Sequence, residues 1–178
     1  MRSAYLARAA ALVLALGGCS DTAPVAASQV EGVTTTDSGA LYDAAFKAMR
    51  ERIDSKIADF PDVPLPADAG GGYTHEQHKR NALAVYEAGL LYEATGEARY
   101  RDFAVELLGE YAEMYPTLGL HPKPKEQSPG RLFWQSLNEA WFLVHAAQGY
   151  DRIRDDLDAD TRERLETGFF HPIVSFLS

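Results

Sequence analysis

The chain has 178 residues with 17 basic and 26 acidic side chains, which gives a formal net charge of −9. An acidic protein of this kind is poorly suited to nucleic acid, because binding to phosphates depends on clustered lysine and arginine. Its single cysteine, Cys19, excludes an internal disulfide. No glycine-rich phosphate loop occurs, and no cofactor is expected.

Residues 1–18 have the pattern of a secretion signal. Two arginines precede an apolar run, Ala9–Leu16, which is too short to span a membrane as a mature helix. Leu-Gly-Gly then leads into Cys19, as in a bacterial lipoprotein box, and Ser20 follows where aspartate would favour the inner membrane. We therefore predict a periplasmic protein held at the outer membrane by a lipid on Cys19, with no other membrane contact. The alternative is an ordinary signal followed by a chance cysteine.

Residues 19–39 are predicted to form a flexible tether, because they are rich in Ala, Thr, Ser and Val without any period. The folded domain is predicted to occupy residues 40–178. Apolar positions spaced four, three, four and four residues apart indicate a first helix over residues 40–59. The prolines and three consecutive glycines of residues 60–72 predict a loop.

Two further helices are predicted before the central part of the chain. The second covers residues 73–94 and begins with a capping box formed by Thr74 and Gln77. Gly96 is expected to end it. The third covers residues 97–114.

Residues 121–150 are predicted to form a loop followed by the central helix of the fold. Prolines and a glycine exclude regular structure in residues 121–130, and residues 131–150 are predicted to form a buried helix with two apolar stripes. The stripes are Phe133, Leu137, Ala140, Val144 and Gln148, and Trp134, Trp141 and His145. Gln135 and Asn138 fall near the start of this helix, where a basic loop leads into its N-terminus. That arrangement suits an anion, although bonds to neighbouring backbone alone would explain the two amides equally well.

A fifth helix, capped by Asp160, is predicted to be kinked or divided at Gly168 and Pro172. Short connections make neighbouring helices antiparallel, so the fold class is all-α. In such a stack the N-termini of the second and fourth helices lie at one end, and their basic loops predict an anion-binding rim there. The last apolar residues, Phe169, Ile173 and Phe176, end without a cap, which predicts a truncated chain with an uncovered face.

The sequence His75-Glu76-Gln77-His78 is one residue short of the zinc-binding His-Glu-x-x-His spacing. A third ligand is not evident, so no metal is expected. His145, on an aromatic stripe, is interpreted as a hydrogen-bonded core residue.

Three blocks of sequence together carry a family resemblance. They are Gly70–Asn81 (GGGYTHEQHKRN), Glu110–Lys125 (EYAEMYPTLGLHPKPK) and Gln127–Asn138 (QSPGRLFWQSLN). The blocks resemble the N-terminal helical domain of oligoalginate lyases of polysaccharide lyase family 17, in the heparinase II/III-like superfamily. The resemblance extends over residues 60–178.

The resemblance implies antiparallel helical hairpins that form part of an incomplete (α/α) toroid, with the family's C-terminal β-sandwich absent from this chain. It also implies exolytic β-elimination on alginate oligomers, releasing unsaturated uronate. In the family an Asn–His pair neutralises the uronate carboxylate, and tyrosines act as base and acid. No Asn-His dipeptide occurs here. The catalytic residues are therefore expected beyond Ser178, and this chain alone is expected to be inactive.

The resemblance and the position of the rim together predict that this chain contacts the substrate without catalysing the reaction. We assign it to Tyr73, Lys125, Ser128, Gln135 and Asn138, with an anionic uronate oligosaccharide as the partner. Two alternatives remain at this point. One is a lyase for a heparan- or chondroitin-type polymer, and the other is a non-catalytic helical lipoprotein that binds oligosaccharide or a partner helix.

Overall fold

The structure is a computed structural model and describes residues 35–178, with side chains from residue 39 onward. Within that range the chain forms six α-helices. They are α1 (Thr35–Ala58), α2 (Tyr73–Thr95), α3 (Ala98–Met114), α4 (Ser136–Ile153), α5 (Ala159–Leu165) and α6 (His171–Leu177). The predicted signal and the predicted lipidation site, Cys19, lie outside the described residues.

The predicted all-α class is confirmed. Within residues 35–178 no strand forms, and the backbone pairs in β fashion only at an isolated antiparallel bridge between Pro129 and Gln135. Single turns of 3₁₀ helix follow α3 and α4, at Tyr115–Thr117 and Arg154–Asp156. None of the helices in this part of the chain is long and apolar enough to cross a membrane.

The core lies where α2, α3, α4 and the C-terminal helices meet. Its centre is a set of fully buried aromatic rings: the centroid of Phe142 lies 4.8 Å from that of Tyr111 and 5.6 Å from that of Phe169. Most of these pairs meet edge to face, the arrangement that aromatic quadrupoles prefer. This packing holds α4 against α3 and against the C-terminal segment that carries Phe169.

Helices α2 and α4 run side by side in the same direction. Near their N-termini, Glu76 and Asn138 line one groove. Further along, the backbones touch: a Cβ added to Gly89 would lie 2.8 Å from the Cα atom of Gly149. This close approach is possible because both residues lack a side chain. The prediction that the two N-termini lie at the same end is therefore confirmed.

The predicted fourth helix is wrong at its start and in its buried face. It begins at Ser136 rather than Arg131, and Leu137 and Val144, placed on a buried stripe, are 71% and 51% exposed. The buried side of α4 instead runs through Glu139, Phe142, Ala146, Gly149, Tyr150 and Ile153. A shift of two residues corresponds to about 200° around a helix, so the true stripe lies nearly opposite the predicted one.

Two predicted helix caps are also wrong. Gly72, not Thr74, precedes α2, and the Thr74 hydroxyl accepts backbone N–H groups of the preceding loop at 2.9 and 3.2 Å. Asp158, not Asp160, caps α5, and its carboxylate accepts the N–H of Thr161 at 2.8 Å. In both cases the residue with extended backbone takes the cap, because an N-cap has non-helical dihedrals.

The predicted division of the last helix is confirmed as a π-helical turn, Glu166–Phe170, between α5 and α6. Pro172 cannot donate a backbone hydrogen bond, and Gly168 allows close approach to α3. The predicted uncovered face is wrong for Phe169 and Ile173, which are both 0% exposed. Phe169 is covered because the π-helical turn packs on Tyr111 of α3 and Phe142 of α4, and Ile173 because α6 packs on α4.

Candidate functional site

The N-termini of α2 and α4 bring the predicted site residues to one end of the helices. We call this surface the rim and define it as Tyr73 together with residues 123–138. The loop before α4 forms most of it and is held mainly by backbone bonds. The N–H of Lys125 donates to the carbonyl of Trp134 at 2.8 Å, and the N–H of Ser136 donates to the carbonyl of Ser128 at 3.0 Å.

Three of the five predicted residues form a continuous hydrogen-bonded chain on the rim. The Lys125 ammonium donates to Gln135 Oε1 at 3.3 Å, and Gln135 Nε2 donates to Asn138 Oδ1 at 2.6 Å. The Lys125 Nζ atom also lies 5.6 Å from the ring centroid of Trp134. These contacts fix the lysine charge and leave donor hydrogens of Lys125 and Asn138 for a ligand.

Ser128 and Tyr73 behave differently from the other three. Ser128 contributes its backbone, since its carbonyl holds the first residue of α4. Tyr73 is 58% exposed and donates its hydroxyl to Asp62 at 3.1 Å. The hydrogen bond to Asp62 raises the pKa of Tyr73 above its ordinary value, because the carboxylate disfavours a neighbouring phenolate. The phenol lines a depression with Lys56 and Asp59, so Tyr73 shares the end of the helices with Lys125, Gln135 and Asn138 but does not join their hydrogen-bonded chain.

A buried glutamate supports the loop before α4, and this role was not predicted from the sequence. Glu139 is 0% exposed, and its Oε2 atom accepts the N–H of Arg131 at 2.8 Å. Its Oε1 atom accepts the Tyr115 hydroxyl at 2.6 Å and the N–H of Leu132 at 3.3 Å. Burial raises the pKa of Glu139, while these donors oppose the rise. The sequence does carry a signal for this role. An acidic residue one turn into a helix that is predicted to be buried needs hydrogen-bond donors around its carboxylate.

A second buried network fixes the first turns of α2. Asn81 Nδ2 donates to the Tyr111 hydroxyl at 2.9 Å, so that hydroxyl directs its own hydrogen to His78 Nδ1, also 2.9 Å away. His78 is therefore assigned as the neutral Nε2–H tautomer. Burial lowers its pKa to about 3, with smaller contributions from His75 and His121. His78 is 0% exposed and belongs to the core.

The described residues contain no group of three or more His, Cys, Asp or Glu side chains that could hold a metal ion. His75 is 4% exposed, and its ring packs edge-on against Phe133 with centroids 5.1 Å apart. His145, interpreted as a hydrogen-bonded residue, lies 2.8 Å through its Nδ1 atom from the carbonyl of Trp141. It is only partly buried, however, because that face of α4 is not covered.

A groove of about 510 Å³ adjoins the rim between the first turns of α2 and α4. Its lining is Glu76, Lys79, Arg80, Leu83, Leu137, Asn138 and Trp141. Asn138 belongs to both the rim and the groove, so the two surfaces are continuous. The groove was not predicted from the sequence, because Leu137 and Trp141 were expected to be buried on the apolar stripes of the fourth helix.

The fold and site define an all-α chain whose polar rim carries the hydrogen-bonded residues Lys125, Gln135 and Asn138. Over 137 residues, or 77% of its length, the chain is 55% identical to an exo-oligoalginate lyase of Saccharophagus degradans. Over 160 residues, or 88% of its length, it is 46% identical to an alginate lyase of Stenotrophomonas maltophilia. It spans about a fifth of each relative, 19% and 22% respectively. No family model matches the chain.

The predicted resemblance to alginate lyases is therefore confirmed over most of the chain. Membership of polysaccharide lyase family 17 stays a prediction, since no family model supports it.

Proposed function

We propose that this chain is part of an alginate lyase and that its rim holds an anionic uronate oligosaccharide. The observation that carries the proposal is the hydrogen-bonded chain from Lys125 through Gln135 to Asn138, in a segment similar to lyases named for alginate. Lysine supplies charge for a uronate carboxylate, and the amides supply oriented hydrogen bonds for hydroxyl groups. The relatives' names favour alginate over heparan- or chondroitin-type polymers.

In this proposal the base and the acid of the elimination are supplied by residues outside these 178. A base must remove the C5 proton while the bond from C4 to the glycosidic oxygen breaks, and an acid must protonate the leaving oxygen. Tyr73 is the exposed tyrosine of the rim, but its bond to Asp62 raises its pKa and makes it a poor base. Tyr111 and Tyr115 are fully buried, and burial raises their pKa values.

The proposal extends to the architecture and location of the whole protein. Helices α2 and α4 are parallel, and α3, which connects them in the chain, runs in the opposite direction. This alternation supports a place for the chain within an (α/α) toroid. The leader sequence supports export and a lipid on Cys19 at the outer membrane. Mass spectrometry of the mature N-terminal peptide tests the lipid. A peptide that carries unmodified Cys19, or that begins elsewhere, contradicts it.

Binding tests the rim directly. We expect the chain to bind a saturated alginate tetrasaccharide in calorimetry, and we expect Lys125→Ala to weaken binding by about tenfold, since charge-assisted hydrogen bonds contribute ~1.5–3 kcal/mol. Lys47→Ala is the matched control, because Lys47 is a 77% exposed lysine of α1. Binding should weaken as salt rises. Equal affinity in the two variants, or no dependence on salt, contradicts the proposal.

A second assay tests where the chemistry lies. The 178-residue chain is incubated with oligoalginate, and absorbance of the unsaturated product is followed. We expect no turnover, because loss of even one transition-state donor typically costs on the order of 10²–10³ in rate. Turnover by this chain would show that its own residues supply the base and the acid.

A further inference from the structure

We propose that the groove between α2 and α4 is a second saccharide subsite, which takes a uronate ring against Trp141 and its carboxylate on Arg80. The inference rests on the proposed function and adds a subsite beyond the rim. It assigns roles to Arg80 and Trp141 that neither the rim nor the core requires.

The wall of the groove is suited to a sugar ring. Trp141 lines it together with Leu83 and Leu137, which are 40% and 71% exposed. The indole is held in place by His145, whose ring centroid lies 4.0 Å away at a tilt of 35°. A fixed aromatic surface flanked by apolar side chains binds the C–H face of a pyranose, and a few polar groups then set its orientation.

Arg80 is the charged side chain of the groove that is left for a carboxylate. The other two charges in the lining pair with each other, since Lys79 Nζ lies 3.8 Å from Glu76 Oε1 and 5.9 Å from the ring centroid of Trp141. Within residues 39–178, Arg80 has no carboxylate within ion-pairing distance, whereas Arg52, Arg99 and Arg152 each have one. The Nε and Nη2 atoms of Arg80 both donate to Gln77 Oε1, at 3.1 and 2.7 Å. Its Nη1 atom is left to donate to a ligand, and a planar guanidinium suits a carboxylate.

The arginine is also rigidly supported from the core. Gln77 is 9% exposed, and its Nε2 atom donates to Asn81 Oδ1 at 2.9 Å. Asn81 in turn donates to the Tyr111 hydroxyl, so the guanidinium stands at the end of a buried network. Such support lowers the entropy lost when a ligand binds, because the side chain is already ordered.

The two cations, Lys125 of the rim and Arg80 of the groove, lie on surfaces that meet at Asn138. Asn138 lines the groove and accepts a hydrogen bond from Gln135, which is itself bonded to Lys125. In this proposal an oligomer that places one uronate carboxylate on Lys125 continues past Asn138 and places another on Arg80. A neutral glucan of equal length would satisfy neither cation.

The two tryptophans of the chain report the two surfaces separately. Trp134 lies on the rim beside Lys125, and Trp141 lies in the groove. We would titrate the full chain carrying Trp134→Phe, and separately Trp141→Phe, with a saturated alginate tetrasaccharide while following tryptophan emission. The expected result is a saturable change from Trp141 in the Trp134→Phe variant, and no change with a neutral tetrasaccharide.

Arg80→Ala in the Trp134→Phe background should weaken the Trp141 response by about tenfold, since a charge-assisted hydrogen bond is lost. The matched control is Arg101→Ala, because Arg101 of α3 is already paired with Asp102 at 2.7 Å. Circular dichroism confirms that each variant is folded. An unchanged affinity in Arg80→Ala overturns the assignment of the carboxylate to Arg80.

The remaining outcomes separate this inference from the proposed function. If Trp134 responds and Trp141 does not, the groove is not a saccharide subsite and the rim stands. If Trp141 responds and Trp134 does not, the groove stands and the rim is wrong. If neither responds, both proposals are overturned.

Discussion

Acid should destabilise the fold through His78. Its imidazole is buried and neutral, with Nδ1 accepting the Tyr111 hydroxyl. The ordinary pKa of 6.5 falls to about 3 in the folded chain, chiefly through burial. Between these two values the unfolded chain binds more protons than the folded one. The free energy of unfolding therefore falls as the pH drops below 6.5 toward 3.

The size of the effect follows from the two pKa values. Going from about pH 7.5 to about pH 5 protonates the unfolded imidazole and leaves the folded one neutral, which removes about 2 kcal/mol of stability. Burial lowers the pKa of His75 and His121 as well, so these residues act in the same direction. Glu139, whose pKa is raised from 4.5, acts with the opposite sign just above that value.

A variant isolates the contribution of His78 from those of its neighbours. His78→Asn keeps an acceptor near the Tyr111 hydroxyl but does not titrate. Urea unfolding at both pH values, followed by circular dichroism, gives the loss of stability in each protein. We expect the variant to be less stable at both pH values, and to lose about 2 kcal/mol less than the wild type on acidification. Equal losses in the two proteins would refute the assignment of a neutral, buried His78.

Two further predictions concern packing and the loop. Gly149→Ala should destabilise the fold by about 1–3 kcal/mol through overpacking, because the new Cβ atom would lie 2.7 Å from the carbonyl carbon of Val85. Gly39→Ala in α1 meets nothing within 4 Å and should be neutral or stabilising by up to ~1 kcal/mol, and urea unfolding compares the two. Glu139→Gln should cost about 1–3 kcal/mol and speed proteolysis of the loop, because an amide cannot accept at both positions; unchanged cleavage would contradict its supporting role.

Helical periodicity and helix terminators predicted the larger part of the fold. Tyr73 begins α2 and Gly96 ends it in a left-handed conformation with φ of 69°, as its lack of a side chain allows. The parallel placement of α2 and α4 followed from counting antiparallel turns. These features depend on local residue chemistry, which the sequence displays directly.

The buried face of α4 could not be predicted in the same way. Leu137, Trp141 and Val144 are apolar at helical spacing, and so is the true buried stripe through Phe142 and Ala146. Periodicity gives the angular width of an apolar face but not which neighbour covers it. The groove was missed for this reason.

The polar part of the site was predicted only where the residues lie close together in the chain. Lys125, Gln135 and Asn138 meet on one loop and one helical turn, and their placement on the rim followed from the topology. The buried supports did not, because Glu139 finds Tyr115 across 24 residues and His78 finds Tyr111 across 33. Long-range partners of this kind depend on the packed fold.

The loop before α4 should tolerate substitutions at its outer positions, because its conformation does not depend on their side chains. Its backbone is fixed by main-chain bonds and by the Glu139 carboxylate, whereas the residues at its outer positions are all exposed: Lys123, Pro124, Lys125, Glu126 and Gln127. Substitutions there alter the chemistry of the surface without altering the framework beneath it. Substitutions at these five positions should therefore cost little stability. If the rim binds a ligand as proposed, a directed-evolution library for altered ligand preference would begin with them.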